Sequence, residues 1–179
     1  MAERFNIHNE EVEPGVFELS LEHQEGERRL LGTRWQTVAV LARRRYPAND
    51  MFGLAAYKST LEQAAGHAAA GHYGCYVETT HMRGGRVEVE LIERVIADTK
   101  LRTSILASRS FDASDDEALV AASEFAAELG AWADRVNTER EQALAEGAVE
   151  HDAALEDAAE RERAAAELAD ILRRSSSGS

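Results

Sequence analysis

Three features of the chain together predict an α+β fold. Runs with the period-two alternation of half-buried strands lie at 17–21, 73–80, 87–91 and 101–107. Runs with the three- and four-residue steps of an amphipathic helix lie near 29–46, 51–69 and 115–137. Short turns, too brief for a parallel crossover, join the last three strand runs. The expected architecture is a three- or four-stranded antiparallel meander packed by helices on one face, with an acidic Ala/Glu-rich C-terminal helical extension. The expected organisation is a polar acidic N-terminal arm over 1–14 and an α+β core domain over 15–146. A helical extension over 147–174 and a flexible Ser/Gly tail over 175–179 follow.

In chain order, Pro14-Gly15 reads as a turn, after which Phe17, Leu19 and Leu21 alternate with Glu18, Ser20 and Glu22 as a strand. Leu31, Trp35, Val38, Ala42 and Tyr46 then fall at helical steps, and Pro47 stops that pattern. Asp50 is placed to N-cap the next helix, with Leu54, Tyr57, Leu61, Ala64 and Ala68 on one side and Gly66 and Gly71 loosening its end. Tyr73, Cys75, Val77 and Thr79 begin the meander, and Arg83-Gly84-Gly85 turns it into Val87, Val89 and Leu91. The phase slip at Leu91-Ile92 marks either a bulge or a strand covered on both faces. Asp98-Thr99-Lys100 turns the chain again into Leu101, Thr103, Ile105 and Ala107.

Ser114 and Glu117 have capping-box spacing for the last core helix, whose greasy stripe is Leu119, Ala122, Phe125, Leu129, Trp132 and Val136. Asp115, Asp116 and Glu117 also suit the positive end of its dipole. Beyond Gly147 the chain is mostly Ala, Glu, Asp and Arg, with Val149, Leu155, Leu168, Ile171 and Leu172 as its large apolar residues. Such a segment favours helix but has little to bury. Ending the chain after Gly147 is therefore expected to leave the core intact and to remove mainly self-association.

Charge is strongly sorted. Residues 28–45 contain Arg28, Arg29, Arg34, Arg43, Arg44 and Arg45 and no acid, whereas 1–27 contain eight acids against Arg4. Beyond Phe111 there are eighteen acids and six arginines, and the whole chain carries −13. That balance disfavours nucleic acid or an anionic membrane as a whole-surface partner. Lys58 and Lys100 are the only lysines among 20 basic residues, as GC-rich coding or salt adaptation would produce. The start of the chain has no signal-peptide pattern, and no apolar run approaches the ~20 residues of a bilayer span. The expected location is cytoplasmic, with incorporation into a virion among the assemblies considered.

No catalytic constellation accompanies the charge pattern. His67, His72, Cys75 and His81 resemble a metal set only at first sight. On one strand Cys75 and His81 would lie roughly 20 Å apart at about 3.3 Å per residue, and the spacing matches no usual zinc pattern. Cys75 follows a helix C-terminus, where the dipole opposes a thiolate, so it is a poor nucleophile. The glycines from Gly66 to Gly74 fit neither phosphate-loop pattern. Paired acids such as Glu88/Glu90 and Asp115/Asp116 read as solvation and capping. No cofactor, metal, membrane or small-molecule substrate is expected.

The six arginines are the candidate interaction residues. Arg43 to Arg45 would close the expected first helix, while Arg28, Arg29 and Arg34 need another explanation. An acidic protein surface, another copy of the chain above all, ranks ahead of nucleic acid. The leading expectation is a non-enzymatic interaction or assembly protein acting as a homo-oligomer. A DNA-binding regulator with a dimerising C-terminal helix ranks second, and a metal protein or enzyme using His67, His72 and Cys75 third.

Overall fold

The computed structural model describes residues 2–30, 32–146 and 158–176. The fold is α+β and contains two three-stranded antiparallel sheets. Strands β1 (Ala2–Glu13), β2 (Val16–Arg29) and β3 (Gly32–Pro47) form the first, in the order β1-β2-β3, followed by helix α1 (Met51–Ala69). Strands β4 (Gly74–Met82), β5 (Arg86–Ala97) and β6 (Lys100–Asp112) form the second, in the order β4-β5-β6. Helices α2 (Asp116–Ala145) and α3 (Ala158–Ser176) follow. Three strands and a helix therefore occur twice in succession, although no sequence repeat accompanies them. By compactness the chain forms two units. One comprises 1–73, 95–102 and 139–156, and the other 74–94, 103–138 and 157–179.

The principal correction concerns 29–46, which is strand β3 rather than a helix. The register runs Leu21 to Ala42, Glu22 to Val40, His23 to Ala39 and Gln24 to Thr37, so Leu41 and Val38 are each an extra residue on β3. A bulge moves the next residue to the other face. Two bulges within five residues turn period-two spacing into steps of three and four, the pattern of a helix. The content of Thr33, Trp35, Thr37, Val38, Val40 and Tyr46 is nonetheless that of a strand. The acidic segment over 1–14 contains strand β1, whose Asn6, Ile7 and His8 pair with Glu22, Leu21 and Ser20 of β2.

In the first unit, Leu19, Leu21, Ala42 and Tyr46 meet Tyr57, Leu61 and Ala64 of α1, together with Ile96. Helix α1 has the expected bounds because both ends are specified locally. The Asp50 carboxylate accepts from the Gly53 amide at 2.9 Å. At the other end the His72 amide bonds His67 O at 2.8 Å and the Gly71 amide bonds Ala68 O at 2.9 Å, the paired bonds of a Schellman motif. Gly71, at φ 73°, takes the left-handed position that the motif requires.

In the second unit, Val87, Val89 and Leu91 of β5, Cys75 of β4 and Ala107 and Phe111 of β6 pack against Ala122, Phe125, Leu129, Trp132, Ala133 and Val136 of α2. The β4–β5 register is regular through Leu91 and Ile92. Both residues are buried, as are Val95 and Ile96, so coverage on both faces rather than a bulge explains the lost alternation. Helix α2 is N-capped by Asp115, not Ser114. The Asp115 carboxylate accepts from the Glu117 amide at 3.0 Å and Asp115 O receives the Leu119 amide at 3.0 Å. Ser114 instead bonds Asp112 through both its amide and its hydroxyl.

The extension is also corrected. Ile171 of α3 is part of the second core, with Ala164, Leu168 and Leu172 packed against it, and the Trp132 indole donates to Ala164 O at 3.2 Å. Helix α3 runs on through Ser175 and Ser176, so the expected flexible tail begins within it. Gly147, the expected break, and the apolar residues Val149 and Leu155 lie outside the described residues.

Asn137 of α2 completes the start of β4. Its side chain accepts from the Cys75 amide and donates to Cys75 O, both at 2.8 Å, as a neighbouring strand would. Gly74 permits this approach, since it has φ 80° and a Cβ there would lie 2.5 Å from Asn137 Oδ1. Gly74→Ala should therefore cost about 1–3 kcal/mol from backbone strain alone. Displacement of Asn137 should add to that cost, and thermal denaturation beside Asn137→Ala separates the two terms.

Candidate functional site

The structure divides the six arginines between the two ends of the β2–β3 hairpin. Arg28, Arg29 and Arg34 lie at its tip. Arg43, Arg44 and Arg45 lie at its base, roughly 25–30 Å along β3 at about 3.3 Å per residue. They do not form one basic patch.

The basal arginines are engaged within the chain. Register places Glu18 opposite Arg45 and Ser20 opposite Arg43. Glu18 accepts from Arg45 Nε at 3.0 Å and forms an ion pair with Arg43, whose Nε lies 3.1 Å away. Arg43 also donates to Leu144 O at 3.0 Å, near the C-terminal end of α2. A cation at a helix C-terminus is the role expected of this cluster, but the helix is α2 and the partner is distant in sequence. The Arg44 guanidinium stands 5.5 Å from the Tyr46 ring. Arg43 and Arg45 thus neutralise Glu18 of their own unit.

The tip is different. Arg28, Arg29 and Arg34 are exposed, and Leu30 between them has 104% relative accessibility, as open as a residue can be. Arg29 pairs with its neighbour Glu27 at 2.9 Å on the same exposed surface. Arg34 faces Glu27 and Arg28 faces Thr33 across the ladder. Leu30 is a fully exposed apolar residue at the tip that sequence reasoning overlooked. A signal was present in the run Arg28-Arg29-Leu30, an apolar residue beside two charges and just before Gly32, but it was absorbed into the supposed helix.

Below the tip the hairpin is stiffened. Gly26 lets Trp35 and Thr33 cross β2, since a Cβ at Gly26 would lie 2.6 Å from Thr33 Cγ2 and 3.0 Å from the Trp35 ring. The Arg4 guanidinium covers Trp35 at 4.2 Å and donates to Gln24 at 2.9 Å. Glu22 accepts from Gln24 and from Thr37, each at 2.8 Å. The His23 ring stacks on Phe5 with centroids 4.9 Å apart. Glu141, half-buried in the same unit, has its carboxyl pushed above the usual range by burial, with the His23 charge opposing.

The remaining candidate chemistry is dispersed. His67 and His72 belong to the end of α1, Cys75 is buried on β4 with Sγ 3.9 Å from Glu93 Oε1, and His81 is exposed near the end of the same strand. Among the described residues, no three His, Cys, Asp or Glu side chains gather in a geometry that could hold a metal ion. The Tyr73 hydroxyl, pushed up to about 12 by burial, donates to Leu41 O at 3.3 Å. Asp112 is held low by its hydrogen bonds from Ser114 and acts in the turn before α2. Among the described residues, no helix is long and apolar enough to cross a membrane. No family model matches the chain, and neither the curated proteins nor the solved structures contain a match to it.

Proposed function

We propose that this protein is a non-enzymatic assembly component that associates with further copies of itself through the tip of the β2–β3 hairpin. The observation that carries this reading is the fully open Leu30 flanked by exposed Arg28, Arg29 and Arg34 at the end of a stiffened hairpin. An apolar residue held in water gains free energy on being covered, and a cationic rim selects an acidic partner. The net charge of −13 supplies acidic surface on every other copy. The protein on this reading is intracellular and acts as an adaptor or structural part of a homo-oligomer, with a virion among the assemblies that would suit it.

The test is sedimentation velocity on the wild type and on Arg28→Glu/Arg29→Glu at 0.15 and 1 M salt. Self-association should weaken as the Debye length falls from ~8 to ~3 Å. The reversal should weaken it by about tenfold or more at 0.15 M while leaving the melting temperature unchanged. Titration of duplex DNA at low salt separates the regulator reading, because phosphate neutralisation gives its own salt slope. Tight DNA binding lost on reversal, with an unaltered oligomer, would replace self-assembly by that reading.

A further inference from the structure

The second unit carries a groove whose chemistry is the complement of the hairpin tip. It is a cavity of about 560 Å³ along the first turns of α2, within the ~300–1,000 Å³ of ordinary binding pockets. Phe111 and Phe125 line its base, with ring centroids 5.9 Å apart and both almost wholly buried, and half-buried Ala118 and exposed Ala121 supply its accessible apolar surface. Asp115, Glu117, Glu124 and Glu128 line its rim and are all exposed. Arg109 and Arg174 also line it, so carboxylates outnumber guanidiniums by four to two.

The Arg109 guanidinium lies 5.0 Å from the Phe111 ring and 6.0 Å from the Phe125 ring, which shows that this floor accommodates a stacked guanidinium. Asp115 is engaged in capping α2. Glu124 and Glu128, further along the helix, are the acids best placed to receive an incoming cation. Glu128 also lines a second depression that continues along α2, so the acidic surface extends beyond one pocket.

Resting on the self-assembly reading above, we propose that this groove is the receptor for the hairpin tip of a second copy. Leu30 meets the apolar surface of Ala118 and Ala121, and Arg28, Arg29 and Arg34 meet Glu124, Glu128 and the acidic rim. Donor and acceptor are different surfaces of the chain. Each copy can give a tip and receive one, so the contact can be exchanged between two copies or repeated through more of them.

The test uses the full chain with two reversals, Arg28→Glu/Arg29→Glu at the tip and Glu124→Arg/Glu128→Arg in the groove. Each alone should weaken self-association by about tenfold or more. Mixing them should restore association towards the wild-type level, because the wild-type tip of one meets the wild-type groove of the other and the reversed tip meets the reversed groove. The chain carrying all four reversals should self-associate again. Glu124→Gln/Glu128→Gln, which adds no new charge, serves if the arginine variant fails to fold, and it too should weaken association. Groove variants that assemble like the wild type, beside a tip variant that does not, would overturn the groove and leave the hairpin reading standing. A tip variant that assembles like the wild type, or a wild type that remains monomeric, would overturn both.

Discussion

Trp132→Ala is expected to lower stability by ~3–5 kcal/mol, as large-to-small changes at buried aromatics do. Trp132 is 4% accessible and lies in the core formed by Leu129, Phe125 and Val136 with Val87, Val89 and Leu91. Its indole N–H also bonds Ala164 O, so truncation leaves a cavity and removes a hydrogen bond between α2 and α3 together. At about 2–4 °C per kcal/mol for a chain of this size, the melting temperature should fall by roughly 6–20 °C. Differential scanning calorimetry decides it, and a shift of under about 2 °C would mean that the α2 core is not packed as described.

Ending the chain at Glu146 should be more damaging still. Read from composition, everything past Gly147 is an appendage whose loss the core survives. The structure reverses that expectation, because α3 contributes buried Ile171 and the partly buried Leu168 and Leu172 to the second core. Full burial of one such side chain stabilises by about 1.5–3 kcal/mol, against a total near 5–15 kcal/mol. The truncated chain should therefore melt well below the wild type and bind a hydrophobic dye. Its Trp132 emission should shift to the red as Ala164 and Ile171 leave. Unchanged melting would restore the appendage.

The C-terminal error has a physical cause. A helix with one apolar residue every three or four positions among Ala, Glu and Arg looks solvated when judged by the amount of hydrophobic surface. Packing depends on where that surface lies. Leu168, Ile171 and Leu172 occupy a single stripe narrow enough for a gap beside α2, and the Arg135–Glu167 ion pair at 2.6 Å borders the same contact. An exposed pair of this kind adds little energy of its own.

Local signals determined much of this protein from sequence alone. The bounds of α1 follow from Asp50 and Gly71, and the start of α2 follows from the acids at 115–117 to within a residue. The second meander follows from alternation and from the Gly84-Gly85 and Asp98-Thr99 turns, since each of these acts within a few bonds. The sorting of charge was legible too, but its meaning was not. Only cross-strand register decided that Arg43 and Arg45 answer Glu18, leaving Arg28, Arg29 and Arg34 together at the hairpin tip. Strand β3 itself needed the tertiary structure, because bulges at Val38 and Leu41 erase the period that names a strand. Periodicity reports which face a residue is on only while pairing is regular. Once an extra residue slips the ladder, the face is set by the partner strand, which the local sequence does not contain.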